Sequence, residues 1–190
     1  MKVGLYFGSF NPIHNGHLII AQAALEFSHL DEIWFIVSPQ NPFKQNKNLL
    51  HEFDRYDMVK FAIENNDRFK VSDIEFNMPR PSYTVDTLVY LKERHPSYDF
   101  KLIIGGDNLS ILPKWKNSNK IMHDFGLIVY PRPGSVEIEK KDHPNITYIE
   151  APLLDISATY IRKCIREDKS IQYLVPEKTA EFIKDRKLYV

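Results

Sequence analysis

The chain has 190 residues, enough for one domain with a substantial hydrophobic core. Its 25 basic and 25 acidic residues give a net charge of zero, which argues against a protein that binds nucleic acids in general or anionic membranes. The one cysteine, Cys164, excludes an intramolecular disulfide and a multi-cysteine metal site. Because no signal-peptide pattern and no apolar stretch of ~20 residues occurs, we expect a cytoplasmic protein.

Apolar runs typical of strands alternate with helical patterns along the chain. KVGLYF and EIWFIVS predict buried strands, separated by the helical composition of HLIIAQAALEF. HEFDRYDMVKFAIEN predicts a helix, FKVSDIEF a third strand and SYTVDTLVYLKERH another helix. FKLIIGGD, FGLIVYPRPG and ITYIEA predict three more strands, and SATYIRKCIRE and EKTAEFIKDR predict the last helices. We therefore expect an α/β protein with a doubly wound parallel sheet and helices on both faces, forming a single domain over residues 1–190 with a small helical C-terminal part.

The stretch GSFNPIHNGH, residues 8–17, directly follows the first predicted strand. Gly8 allows the backbone to approach a ligand closely, and Pro12 prevents a helix from starting there. The next helix directs its free N–H groups and the positive end of its dipole into this turn, which favours an anion. His14 and His17 add hydrogen-bond donors, and a neighbouring phosphate would favour their protonation.

Other interpretations of the two histidines remain open. A metal site would need a third ligand, and none lies nearby in the sequence. The spacing also is not that of His-Glu-x-x-His. Dinucleotide-binding and Walker loops need Gly-x-Gly-x-x-Gly or Gly-Lys-Ser/Thr, and neither string occurs. An ordinary strand-to-helix turn with incidental histidines fits less well, because both histidines stand among Gly, Pro and Asn at one turn.

A second string, ISATYIR at residues 156–162, begins a later predicted helix. Ser157 and Thr159 suit either a helix cap or a phosphate contact, and Arg162 suits a bidentate phosphate contact. Alone, the string also fits an ordinary capped helix. Together, the two strings resemble the His-x-Gly-His and Ile-Ser-x-Thr-x-Ile-Arg motifs of the Rossmann-like nucleotidyltransferase superfamily.

Three further strings, PSYTVDTL, GGDNLSILPKW and NPFK, are similar to those of bacterial nicotinate-nucleotide adenylyltransferases. The resemblance covers essentially the whole chain. Two departures, in GGD and in the middle of ISATYIR, exchange one small residue for another. NPFK stands where Pro-Pro-His-Lys is commoner, which keeps the lysine but puts the role of its neighbours in doubt.

The resemblance implies transfer of the adenylyl group of ATP to nicotinate mononucleotide, giving deamido-NAD and pyrophosphate in NAD biosynthesis. The attacking phosphate is already an anion, so catalysis would consist of positioning and charge stabilisation. Mg²⁺ would arrive on the ATP phosphates rather than occupy a protein metal site. The alternatives are nicotinamide mononucleotide or another phosphate-bearing acceptor, and a regulatory module that binds nucleotide without transfer. A homodimer is one assembly left open.

The resemblance also implies residue roles. His14, His17 and Arg162, with Lys44, would supply positive charge around the transferred phosphate. Trp115 would stack on the pyridine ring; the alternative is a tryptophan that packs in the core or anchors the surface. Thr84 would donate to the nicotinate carboxylate; the alternative is a helix N-cap. Asp107 would bind ribose hydroxyls, act as a helix N-cap, or both. The ATP-binding set is Gly8, Ser9, Phe10, Gly105, Asp107, Arg132, Ser157 and Thr159, and the mononucleotide-binding set is Lys44, Thr84, Leu109, Ser110 and Trp115.

Overall fold

One parallel sheet forms the centre of the computed structural model, which describes residues 1–40, 49–132 and 143–190. The strand order is β3-β2-β1-β4-β5-β6, and each neighbouring pair is parallel. This confirms the predicted parallel sheet. The strands are β1 (Lys2–Gly8), β2 (Glu32–Val37), β3 (Phe69–Ser72), β4 (Asp99–Gly105), β5 (Leu127–Tyr130) and β6 (Ile146–Tyr148).

Helices cover both faces of the sheet, as the alternating pattern predicts. On one face Ala24 and Met58 pack with Ile183, and on the other Leu88 packs with Phe125. The residues of β1 alternate between the two apolar clusters, so the strand is buried on both sides. The helices are α1 (Asn15–Phe27), α2 (Glu52–Ile63), α3 (Thr84–Arg94), α4 (Gly106–Ile111), α5 (Ser118–Lys120), α6 (Ala158–Arg166) and α7 (Glu177–Asp185).

The third strand is shorter than the sequence predicts. It ends at Ser72, and Ile74–Asn77 form a 3₁₀ turn. Local hydrogen bonds replace the strand ladder here, because the Ser72 hydroxyl accepts from the Ile74 N–H and the Asp73 carbonyl accepts from the Phe76 N–H. The turn redirects the side chain of Glu75 toward the carboxyl end of the sheet.

The strand order reverses at β1, which lies between β2 and β4. Ligands of doubly wound sheets bind outside the carboxyl ends of the strands at such a switch point. That edge is formed here by Gly8, Val37, Gly105 and Tyr130. Within the three described ranges, no helix has the length and apolar character to cross a membrane.

Candidate active site

The turn after β1 brings the two histidines into contact. His14 is the N-cap of α1, and its backbone N–H donates to Nδ1 of His17 at 3.2 Å. The two rings stack with their centroids 3.7 Å apart. The Asn15 backbone N–H donates to the Leu174 carbonyl at 2.9 Å, which fixes the start of the helix.

Burial favours the neutral form of both imidazoles. His14 is 7% exposed, and burial, reinforced by the charge of Arg132, lowers its pKa to about 4. The pKa of His17 is lowered well below its usual value by burial, then by His14 and Arg132. Desolvation outweighs any local attraction for both rings, so they are neutral hydrogen-bonding groups in this environment. The positive charge expected of them around a bound phosphate stays a prediction.

Gly8 leaves room for the ring of Phe10. A Cβ on Gly8 would lie 2.7 Å from the ring of Phe10. Phe10 is 2% exposed and has a positive φ of 44°, so its side chain belongs to the core under the turn. The backbone roles expected of Gly8, Ser9 and Phe10 toward ATP stay predictions.

The second motif meets the first. Nη1 of Arg162 donates to the Asn11 carbonyl at 2.7 Å, and Nη2 donates to the Thr159 hydroxyl at 3.2 Å. The Cβ of Ile156 lies 3.6 Å from the position of a Cβ on Gly16. Ser157 caps α6, since its hydroxyl accepts from the Tyr160 N–H at 3.2 Å. The two strings are thus one structural unit, although 151 positions separate Asn11 from Arg162.

The ends of β4 and β5 add an ion pair. Arg132 Nη1 lies 3.0 Å from Oδ2 of Asp107. Gly105 is the N-cap of α4 and Asp107 lies inside the helix, so the N-cap role considered for Asp107 is wrong. A Cβ on Gly105 would collide with Asp107 and lie 2.8 Å from Cδ of Arg132. Glycine at that position therefore allows the pair to form beside the histidines.

A cavity of about 140 Å³ opens at the same edge of the sheet, and Trp115 and Thr84 line it with Gly8 and Ser9. This is close to the size of an apolar cavity that accepts one six-membered ring. Trp115 is half-buried, and the described residues offer its Nε1 no hydrogen-bond partner. Thr84 is the first residue of α3 and Tyr83 is its N-cap, so the N-cap role considered for Thr84 is wrong.

The segment after β4 turns its side chains in different directions. Leu109 is 5% exposed and its side chain belongs to the core, while the Ser110 hydroxyl donates to the Asp107 carbonyl at 2.8 Å. Asn108, between Asp107 and Leu109, lines the cavity. A helical turn explains this, because consecutive residues there face different directions. The backbone contacts expected from Leu109 and Ser110 stay predictions, and Lys44 lies outside the described residues.

Glu75 is a cavity residue that the sequence analysis misses. It is 2% exposed, and its carboxyl oxygens accept from the Ser82 hydroxyl at 3.0 Å and the Thr87 hydroxyl at 2.7 Å. Burial raises its pKa, while these two hydrogen bonds act in the opposite direction. Glu75 thereby ties the 3₁₀ turn to the start of α3, which carries Thr84. The hydroxyls of PSYTVDTL are visible in the sequence, but nothing in the sequence shows that Glu75 is their partner.

Arg55 is a second missed residue. It is fully buried, and its guanidinium donates to the carbonyls of Ser9 at 2.6 Å, Ser38 at 2.8 Å, Leu50 at 2.9 Å and Pro39 at 3.2 Å. Burial lowers its pKa to about 10. The signal in the sequence is an arginine on the apolar side of α2, four residues before Val59.

The described residues contain no group of three or more His, Cys, Asp or Glu that could hold a metal ion. Two arginines bring positive charge to this edge: Arg132 is half exposed and ion-paired, and Arg162 is held against the turn after β1. A bound phosphate group would meet these guanidinium groups and two imidazole donors. This is a chemical environment suited to polyanions.

A family model described as Cytidylyltransferase-like matches residues 5–164. A "Probable nicotinate-nucleotide adenylyltransferase" of Cytophaga hutchinsonii is 56% identical and covers 100% of this chain and 98% of its own. The chain belongs to the cytidylyltransferase-like family, among its nicotinate-nucleotide adenylyltransferases. A relative of the same description from Caldicellulosiruptor bescii is 44% identical over 100% of this chain and 99% of its own.

Solved structures of the family share the fold. Plasmodium falciparum nicotinic acid mononucleotide adenylyltransferase complexed with NaAD aligns with a TM-score of 0.80. The two chains are 24% identical, and the alignment covers 99% of this chain and 97% of the other. At that identity the likeness establishes the fold, and it agrees with the Rossmann-like architecture expected from the two motifs.

Proposed function

We propose that this protein transfers the adenylyl group of ATP to nicotinate mononucleotide, forming deamido-NAD and pyrophosphate in NAD biosynthesis. One observation carries the proposal: the turn after β1 borders both halves of the site. Gly8 and Ser9 line the ring-sized cavity with Trp115, and the Asn11 carbonyl holds Arg162. A ring bound in the cavity would therefore present its phosphate to the histidines and arginines.

The reaction needs few chemical groups from the protein. A phosphate oxygen of the mononucleotide attacks the α-phosphorus of ATP, and a new P–O bond forms as the bond to the bridging oxygen breaks. Pyrophosphate leaves with the electron pair of that bond. Because the nucleophile is already an anion, no general base is required. Rate enhancement comes from alignment of the two substrates and stabilisation of charge in the transition state.

His14 and His17 donate hydrogen bonds to the transferred phosphate, and Arg162 holds the outer phosphates. Bound triphosphate favours the imidazolium forms that burial disfavours in the free protein. The phosphates are surrounded by Gly8, Ser9, Phe10, Ser157 and Thr159. Gly105, Asp107 and Arg132 lie nearer the adenosine, and Mg²⁺ enters as part of the ATP substrate.

The mononucleotide occupies the cavity. Trp115 stacks on the pyridine ring and Thr84 donates to its carboxylate, assisted by backbone N–H groups near Leu109 and Ser110. Lys44 contacts the mononucleotide phosphate. The α3 N-terminus adds a favourable field for the carboxylate.

The test is pyrophosphate release and dinucleotide formation from ATP, measured with nicotinate mononucleotide, with nicotinamide mononucleotide and with neither. Release that depends on the acid, with much less from the amide, supports the proposal. Comparable product from both acceptors would support the broader adenylyltransferase alternative. ATP binding without transfer to either would favour a regulatory module. The cytoplasmic location, a homodimer and the single domain over residues 1–190 also stay proposals, open to fractionation, sedimentation and limited proteolysis.

A further inference from the structure

A tyrosine far along the chain reaches the turn after β1. The Tyr189 hydroxyl donates to Oδ1 of Asn11 at 2.9 Å, across 178 positions of sequence. Asn11 is 2% exposed. Burial raises the pKa of Tyr189 against the opposing charges of Arg162 and Arg55, so the phenol keeps its proton and acts as a donor.

Asn11 is the junction of three segments. Its Oδ1 also accepts from the Leu50 N–H at 3.3 Å, and its backbone carbonyl accepts from Arg162 at 2.7 Å. Asn11 thus joins the turn after β1, the residues before α2 and the arginine of α6. His14 follows Asn11 by three residues in the same turn.

We propose that Tyr189 is a positioning residue for the ATP phosphate site, because it orients Asn11 and through it the carbonyl that holds Arg162. The inference rests on the proposed function and deepens it. It assigns to the segment after α7 a part in substrate binding, although that segment carries none of the motifs of the site.

Contacts other than the one with Asn11 hold Tyr189 and the helix before it in place. The hydroxyl can therefore be removed without loss of the fold. The Thr179 hydroxyl of α7 donates to the Met58 carbonyl at 3.3 Å, and Arg186 lies 3.3 Å from the Asp54 carboxylate. The Tyr189 ring packs against the apolar cluster on this face of the sheet. Phenylalanine keeps that packing and removes one donor.

The experiment compares the parent protein with Tyr189→Phe and, as a matched control, Tyr173→Phe, whose residue is 82% exposed. The Kd for ATP is measured by equilibrium dialysis, and KM is measured separately for ATP and nicotinate mononucleotide. We expect Tyr189→Phe to raise Kd and KM for ATP about two- to tenfold, the effect of one ordinary hydrogen bond. The KM for the mononucleotide and the melting temperature should stay near those of the control.

A double-mutant cycle with Asn11→Ala tests whether Tyr189 acts through Asn11. If Tyr189 acts through Asn11, its hydroxyl has little effect once the Asn11 side chain is absent. Equal effects in both backgrounds would overturn the inference, as would unchanged ATP affinity in Tyr189→Phe or a matching rise in KM for both substrates. A parent protein that binds ATP but makes no product would instead contradict the proposed function, while the ATP-affinity comparison would still test Tyr189.

Discussion

At the scale of single residues, the two histidines show how burial changes a motif. Histidine is cationic or neutral according to its surroundings, and burial withdraws His14 and His17 from water where the turn after β1 meets α1. Arg132 adds an opposing positive charge. The site therefore holds neutral donors near two arginines. A polyanion is the ligand that would most stabilise this arrangement.

His17→Ala should slow turnover by about two to three powers of ten, the usual loss when one preorganised charge-stabilising donor is removed. The sequence places His17 in a turn, but its ring also contacts Phe10 with centroids 5.1 Å apart. We therefore expect a moderate drop in melting temperature with the fold retained. Steady-state kinetics and circular dichroism measure both effects. His123→Ala is the control, since that side chain is 88% exposed. A folded His17→Ala protein within a few-fold of the parent would remove His17 from the mechanism.

In the proposed mononucleotide site, Thr84 and Trp115 would have separate tasks in recognition. Stacking on Trp115 does not distinguish a carboxylate from a carboxamide, whereas a hydroxyl donor favours the group that only accepts. An amide N–H₂ facing a donor loses a hydrogen bond, at about 1–3 kcal/mol when buried. Thr84→Val should lower kcat/KM for nicotinate mononucleotide more than for nicotinamide mononucleotide, and Trp115→Ala should lower both by similar factors. An unchanged acid-to-amide ratio in Thr84→Val would contradict the role of the hydroxyl.

At the scale of elements, the site depends on loops fixed by side chains rather than by the sheet ladder. Arg55 bonds carbonyls after β1 and after β2 and just before α2. Two of those residues, Ser9 and Ser38, line the cavity. A guanidinium suits this task because its planar donors reach several acceptors at once. One buried side chain of α2 thus fixes two residues of the cavity wall.

Arg55→Lys should lower the unfolding free energy by about 1–3 kcal/mol, because buried carbonyls lose their donors, and raise KM for both substrates. Arg68 provides a matched control. It bonds the Asp31 carbonyl at 3.1 Å, and its own carbonyl accepts from Ile33 near the amino ends of the strands. Arg68→Lys should reduce stability with little change in KM. Urea unfolding and steady-state kinetics test the pair, and equal KM changes in both variants would contradict a local role for Arg55.

At the scale of the whole molecule, periodic patterns and short-range signals predict the fold well. Alternating strands and helices indicate the parallel sheet, and glycines with histidines after the first strand mark its switch point. Long-range partners are not visible in a sequence. Nothing near Glu75 shows that Ser82 and Thr87 satisfy its carboxyl, nothing near Tyr189 points to Asn11, and burial of His14 depends on elements far along the chain. The residues of the motifs are predictable, whereas those that hold them in place are found by structure.

Global stability should fall on acidification because of the buried histidines. The pKa of His14 is about 4 in the folded protein and about 6.5 when unfolded. Between these values the unfolded chain binds more protons, so stability rises with pH across that window and is lost as pH falls through it. From pH 7 to pH 5, His14 alone should account for about 2 kcal/mol of lost unfolding free energy, and His17 acts in the same direction. Urea unfolding at both pH values should show a smaller loss in His14→Gln than in the parent. An acid loss of unchanged size in His14→Gln would contradict the buried, neutral state of this imidazole.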